Sequence, residues 1–539
     1  MTMATTWASS RGSGLPSRAT LRWLSLSLSL LLIMAAVLVW SWHPSDRQAT
    51  PLRSALADQV RDAPVAVEAF YRRRRFEPLW AEPTGHWLFR PRARLIPEAK
   101  LLATRIATLL PERRRDIAAA IDAARRGDLT SVARAELLLS LALGDYRHGL
   151  HQSIAPARLA WLDPALAPPH DVAGVLEEAA RAPSRRRYLD LIDQRNPIYH
   201  ALRQRLAEYR SRWARLPQQP IAEGATLAIG ATGARVAGLR YRLGLPAAGG
   251  APFDPLLSSE VKKFQAAHGL PATGQADSAT QAALNRGAVY YERLIRANLE
   301  RARAFPTSFD GRFLFVNVAA ARLSLIEQGE VRSTMRVVAG SPAMQTPAMA
   351  GLIRYAEFNP YWNIPVDLVR ARLAPQVLRH GPVYLKQRGF EALSDWSAAP
   401  RGIDVNAVDW RAVAQGHVDL RVRQRPGQSN EMGRVKFMMP NEIGIYLHDT
   451  PHRALFGQAR RWVSAGCVRL ENADMVTAWL LGSALSSHGR DAPSHRVDLS
   501  RPTPVYIGYL TAAPTDHGIA FYPDVYGRDP ALLAALGAV

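Results

Sequence analysis

A run of 20 largely apolar residues, Trp23 to Trp42, sets the first constraint on this chain of 539 residues. At about 1.5 Å rise per residue it covers the roughly 30 Å hydrocarbon core of a bilayer, where a helix satisfies its own backbone. Arg11, Arg18 and Arg22 precede it with no acid among them, so the positive-inside rule predicts that residues 1–22 stay in the cytoplasm and the rest lies across the membrane. Tryptophans at 23, 40 and 42 suit the two interfaces. A cleaved signal peptide is the alternative, but the small-x-small triplet Ala55-Leu56-Ala57 sits well beyond the apolar run, and we read residues 23–42 as an uncleaved single-pass anchor.

That topology bears on the chain's single cysteine, Cys467. Outside the cytoplasm thiols tend to be oxidised, yet a lone cysteine has no internal partner. It is either an inert, buried small hydrophobe or a thiol kept for its reactivity. The formal charge of +22 is no guide: lysine supplies five of the 68 basic residues and the arginines are dispersed. Attraction to a polyanion such as cell-wall polymer or anionic lipid fits this balance. Nucleic acid is not expected, because no zinc-finger spacing, RNP-like aromatic stripe or basic amphipathic helix accompanies it.

Residues 45–222 read as helices with short polar links, as in "SVARAELLLSLALGDYRHGLH", and show no titratable cluster with catalytic spacing. A composition break at "LPQQPIAEGATLAIGATGARV" leads into a compact unit, residues 223–286. Val236, Leu239 and Leu243 form one helical stripe, a second helix is predicted from Ser259 to Gly269, and Asp277 can cap a third. Residues 287–310, "YYERLIRANLERARAF" included, return to helix. From Gly311 to the C-terminus the pattern changes to period two, with a hairpin turn at Gln328-Gly329. Between about 367 and 440 the alternation lapses into a mixed stretch, predicted as an inserted lid. The expected fold class is therefore multidomain α+β: anchor, helical scaffold, three-helix module and a mainly β domain of residues 311–539.

"NEIGIYLHDT" reads as a strand with Tyr446 and His448 on one face and Ile443, Ile445 and Leu447 on the other. Nineteen residues past His448 comes Ser464-Ala465-Gly466-Cys467, with a helix expected to open near Asn472. A free thiol is only a few per cent thiolate at neutral pH, so it needs an adjacent imidazole, here His448, or the positive field of a helix N-terminus. Gly466 leaves room for an incoming carbonyl. Backbone N–H groups at Gly466 and Cys467, with the Tyr446 hydroxyl, could hold an oxyanion. Arg469 offers a bidentate partner for a carboxylate, or pairs with an acid of the fold. Ser464 reads first as a turn residue bonding backbone, Trp362 as packing and Asn363 as a loop clamp; all three are carried as candidate substrate contacts.

Two resemblances follow from these motifs. "GATGARVAGLRYRLGL…VKKFQAAHGLPATGQADSATQAALN" resembles the three-helix peptidoglycan-binding domain. "YLHDTP…RRWVSAGCVRLENA", with "TPAMAGLIRYAEFNPYWNIP" before it, resembles the YkuD-type L,D-transpeptidases, and the order of segments over residues 60–535 is similar to their large Gram-negative periplasmic members. Many members have His where this chain has Ala465. The resemblance implies a cysteine transpeptidase that joins peptidoglycan stems 3→3 through a thioester on Cys467, with hydrolysis or D-amino-acid exchange as side activities and carbapenems as acylating inhibitors. His448 would be base and then acid, its ring oriented by the Asp449 backbone carbonyl. It also implies an inner-membrane protein with its catalytic part in the periplasm, stem peptides and glycan as partners, and other cell-wall synthesis enzymes as candidate associates. No cofactor or metal is expected. Zinc on His448, His452 and Cys467 is the rival, weakened by Pro451 between the histidines. A non-enzymatic wall-binding scaffold and a cysteine endopeptidase are the other readings.

Overall fold

A computed structural model describes residues 44–537 apart from 85–90, 152–156, 168–170, 193–195, 247–249, 307–310, 398, 488–491 and 516–517. The apolar run 23–42 and its flanking arginines lie outside the described residues. Among those described, no helix is long and apolar enough to cross a membrane. The chain forms two compact units, one of residues up to 149 with 170–192, the other of 150–169 with 193–539.

The first unit is helical, built on helices such as Val65–Arg73, Pro97–Leu109 and Leu129–His151. The helical pattern conceals one hairpin, β1 (Ala81–Thr84) against β2 (Arg92–Leu95). Glu136 explains how the hairpin is entered: its carboxylate, inside the core, accepts from the Leu79 and Trp80 N–H groups at 2.6 and 2.7 Å and from the Tyr71 hydroxyl at 2.7 Å. Burial nevertheless raises its pKa to about 7.

The second unit departs from the expectation that residues 45–222 form one domain. β3 (Ala160–Trp161) leaves the helices to pair with the β domain. Asn196 caps the helix Pro197–Arg212 and donates to the Ala302 and Phe305 carbonyls, which ties residues 196–212 to the later helix. The three-helix module holds Ala234–Arg242, Pro255–Ala267 and the start of Ser278–Ala302. Its second helix begins at Pro255, four residues before the predicted Ser259, because Asp254 caps it by accepting from Leu257 N–H and proline occupies the first turn. Asp277 caps the third through Thr280, and Gly287, at φ 76°, separates the module from the return helix. Buried Gln265 donates to Thr273, Thr280 and the Gln275 carbonyl and accepts from Gly274 N–H, fixing the closing loop of the module.

In the β domain, β4 (Arg312–Asn317), β5 (Arg322–Glu327) and β6 (Glu330–Gly340) form a meander. Its second turn is Gln328-Gly329, at φ 55° and 80°, the conformation a tight two-residue hairpin needs. β7 (Met349–Phe358) follows, and then an inserted sheet of β8 (Trp362–Ile364), β9 (Phe390–Leu393), β10 (Gly402–Ile403) and β11 (Arg421–Gln424). The main sheet resumes with β12 (Val435–Met438), β13 (Leu447–His448), β14 (Trp462–Ser464), β15 (Val468–Leu470) and β16 (His495–Gly508). β12 pairs with both β13 and β7, so the order β12-β13-β15-β6-β5-β4-β16-β7 closes on itself around a core that includes Leu314, Val337, Phe358, Phe437 and Val468. A terminal hairpin, β17 (Ala512–Thr515) and β18 (Gly518–Phe521), packs by the three-helix module.

The insertion therefore begins at β8 rather than at 367 and ends before Val435, since β12 is a strand of the main sheet. Four residues of alternation, Val-Lys-Phe-Met, were too few to reveal it. The insertion has its own core, with Leu368, Val369, Val377, Leu385, Trp410 and Val422 buried.

Candidate active site

The strand expected over "NEIGIYLHD" shrinks to β13. Asn441 closes a loop ahead of it, donating to the Met439 and Ile445 carbonyls and accepting from Ile445 N–H, and Ile443 is exposed. What matters survives: β13 runs parallel to β15 with Leu447 opposite Val468 and His448 opposite Arg469, and Val468 N–H bonds the Tyr446 carbonyl at 3.1 Å. Leu447, Val468 and Leu470 are fully buried. By period two, Tyr446, His448, Cys467 and Arg469 share the other face, and all four line a cavity of about 1050 Å³. The opposite wall comes from the insertion, through Trp362, Arg372, Tyr384, Phe390 and Glu431 among others.

The loop carrying the thiol is braced at several atoms. Gly466 adopts φ 112°, and a Cβ there would press on Ile445 at 3.0 Å. The Ser464 hydroxyl accepts from Gly466 N–H at 3.2 Å and donates to the Cys467 carbonyl at 2.6 Å. Ser464 is buried at the cavity wall and bonds backbone, as its first reading as a turn residue expects. The Gly466 N–H is likewise engaged and not free for an oxyanion. Thr346 donates from Oγ1 to the Gly466 carbonyl at 2.7 Å, while its own N–H donates to the Tyr526 hydroxyl, which in turn donates to the Gly340 carbonyl. These partners stand 120 to 186 residues apart, and nothing in the local pattern around Cys467 points to Thr346 or Tyr526. Ala465 packs against the core of the insertion.

Burial sets the electrostatics. It drives the His448 pKa down to about 3, with Arg469 adding to the effect and the carbonyls of Asp449 and Met432 opposing it. The imidazole is neutral, and its Nδ1–H donates to the Asp449 carbonyl at 2.6 Å, which leaves Nε2 unprotonated. The Asp449 carboxylate is occupied elsewhere, by Arg434 N–H at 2.8 Å and by the Arg453 guanidinium. Burial also pushes the Cys467 thiol up, against the Tyr446 N–H and hydroxyl and the Arg469 charge. No helix N-terminus lowers it: β15 intervenes, and the helix capped by Asn472 begins at Ala473. The resting pair is thus thiol and neutral imidazole, and the thiol donates to the Gly444 carbonyl at 3.5 Å. The Tyr446 phenol is raised chiefly by burial, then by the thiol beside it, and is hydrogen-bonded to Trp362.

Trp362 and Ile364 line the cavity, whereas Asn363 between them points out to solvent opposite Arg423 and stands apart from the site. Arg469 pairs with Glu431 at 3.2 Å, and Glu431 also meets His452 Nε2 at 2.8 Å. Glu431 escaped the sequence reading because it lies within the insertion, in no recognisable motif. Among the described residues no group of three His, Cys, Asp or Glu side chains is placed to share a metal ion.

Fold and site together define a mainly β domain whose thiol and neutral imidazole share one face of a strand pair, opposite an inserted subdomain. Comparison with known proteins narrows this class. Residues 311–520 match the family model of the YkuD L,D-transpeptidase catalytic domain, residues 65–206 that of a scaffold domain, and residues 241–284 that of a "Putative peptidoglycan binding domain". A Haemophilus influenzae protein named "Putative L,D-transpeptidase" is 32% identical over 238 residues, 43% of this chain and 47% of the relative. The chain thus spans about half the length of the curated relative it matches. Among solved structures, an L,D-transpeptidase of Xylanimonas cellulosilytica aligns at 17% identity over 54% of this chain and 100% of its own, with a TM-score of 0.19. L,D-transpeptidase 1 of Mycobacterium tuberculosis aligns at 14% over 37% and 62%, with a TM-score of 0.17. Superpositions that loose add nothing to the assignment, which rests on the sequence matches.

Proposed function

We propose that this protein is a cysteine L,D-transpeptidase acting on peptidoglycan tetrapeptide stems. Cys467 attacks the carbonyl of the third, diaminopimelyl residue. The thiol proton passes to His448 Nε2 and from there to the departing D-Ala amine as the C–N bond breaks, leaving a thioester on sulfur. A neutral base suits this order, because the imidazole can take the proton only as the nucleophile engages. Cys467 N–H and the Tyr446 hydroxyl stabilise the oxyanion. The side-chain amine of a second stem then attacks the thioester and makes the 3→3 cross-link; water in its place gives carboxypeptidase activity. The observation that carries this reading is the shared face of Tyr446, His448, Cys467 and Arg469 in one cavity. The test is incubation of the full chain in mild detergent with purified tetrapeptide muropeptides and mass analysis of the products. D-Ala release and 3→3 dimers are expected, both lost in Cys467→Ala; dimers persisting in that variant refute the assignment.

The same reading places residues 23–42 in the inner membrane, residues 1–22 in the cytoplasm and the chain after 42 in the periplasm, and takes the insertion as a lid and the three-helix module as a wall contact. Membrane fractionation with protease accessibility of spheroplasts tests the topology, and sedimentation with purified sacculi tests the module.

A further inference from the structure

Glu431 is held more firmly than a cavity-lining acid requires. Its N–H donates to Gln424 Oε1 at 2.9 Å, and Gln424 itself donates to the Arg388 and Ser429 carbonyls. The preceding Asn430 is fully buried and donates to the Pro360 and Arg425 carbonyls, while its Oδ1 accepts from Met432 N–H. The insertion thus fixes the backbone from which Glu431 reaches Arg469, two residues beyond Cys467 on the same face of β15. Both side chains line the cavity, and Arg469 Nε is buried with no hydrogen-bond partner. Glu431 Oε1 remains bound to His452 when Oε2 is released, so the carboxylate can change partner without losing its position.

Breaking a partly buried ion pair with a ligand of one charge strands the other ion. An anion on Arg469 would leave Glu431 uncompensated, and a cation on Glu431 would do the same to Arg469. A ligand carrying both charges close together replaces each partner and leaves the balance unchanged, and its carboxylate can also satisfy Arg469 Nε. We infer that Glu431 is a specificity-determining residue for the acceptor: with Arg469 it reads the head group of an α-amino acid, carboxylate on arginine and amine on glutamate, and holds the amine for attack on the Cys467 thioester. This rests on the transpeptidase reading. The bound ammonium gives one proton to solvent. Its nitrogen gives a second to His448 Nε2 as the C–N bond forms, and that proton passes to the Cys467 sulfur as the C–S bond breaks.

The test uses the full chain, a tetrapeptide donor and three acceptors: D-methionine, D-methioninamide and 3-(methylthio)propylamine. Adducts and D-Ala release are quantified in parallel by mass spectrometry. The intact protein should prefer D-methionine over the other two by roughly tenfold or more, the scale of one charge-assisted hydrogen bond in a partly buried site. Glu431→Gln should lower the share of released D-Ala that is matched by D-methionine adduct by roughly ten- to a hundredfold, a ratio that does not depend on the rate of acylation. Glu431→Asp should restore part of that share. No preference in the intact protein, or an unchanged share of transfer in Glu431→Gln, would each overturn the inference. Absence of D-Ala release from the intact protein would instead overturn the functional reading and, with it, this one.

Discussion

Two histidines of the second unit are built almost alike and are fit for different work. His268, in the three-helix module, and His448, in the β domain, are both buried, and each sets Nδ1 on a backbone carbonyl, Phe264 at 2.8 Å and Asp449 at 2.6 Å. Burial lowers both, to about 4 and about 3. They part at the second nitrogen. His268 Nε2 meets the Tyr209 hydroxyl at 3.1 Å, and its ring is enclosed by Phe264, Trp213, Tyr291 and Phe521. His448 stands in a cavity with Cys467. Burial and a carbonyl make a neutral imidazole in either place; what differs is that one ring is walled in by aromatic side chains and the other lines the cavity that holds the thiol.

The contrast can be broken first at His448. His448→Gln should lower kcat for D-Ala release by about 10²- to 10⁴-fold, the usual span of a general base, with little change in melting temperature. His268→Leu should do the reverse. It leaves the Tyr209 hydroxyl without its partner and costs about 1–3 kcal/mol of stability by denaturant titration, while kcat per folded molecule is unchanged. Acid sharpens what the two share. Unfolded histidine takes a proton near pH 6.5, whereas the folded rings resist to about 4 and about 3. The unfolded state therefore binds more protons in that window, and each ring makes stability fall, by up to about 1.4 kcal/mol per pH unit, as pH drops below 6.5. Neither contributes such a slope above pH 7, and His268→Leu should flatten it by one proton's share. The smallest expected effect is at the brace: Thr346→Val removes the bond to the Gly466 carbonyl and should reduce kcat several-fold, corresponding to about 0.5–1.5 kcal/mol, with the thiol still titratable.

Period and punctuation made much of the second unit legible. The Gln328-Gly329 turn, the Asp277 cap and the common face of Tyr446 and His448 follow from local rules, and the structure contains each. Ser259 was a poorer start than Asp254-Pro255, where a cap and a proline coincide. The strand at 443–448 was overextended because Asn441 diverts the backbone into a loop, a side-chain contact that alternation does not register. What escaped at the site is held by long-range bonds. Thr346, Tyr526 and Glu431 act on the loop and on Arg469 from elsewhere in the chain, and only the fold brings them there. The electrostatics were misread for a related reason: the helix opens where expected, at Ala473 after the Asn472 cap, but β15 stands between it and Cys467, and burial raises the thiol.

β3 has a bearing on assembly order. Ala160 and Trp161 pair with Met349 and Ala350, and the N–H groups of Ala160 and Leu162 donate to Ala348 and Ala350 at 3.0 and 2.9 Å. The segment that seals this edge of β7 is thus synthesised long before the strand it covers, and the whole three-helix module emerges between them. Closing so long a loop is entropically costly and slow, so the seal should be a late event in folding. A fragment begun at Gly311 would expose two residues of unpaired strand edge, the kind of template that invites association between copies. One begun before Leu159 carries its own cover.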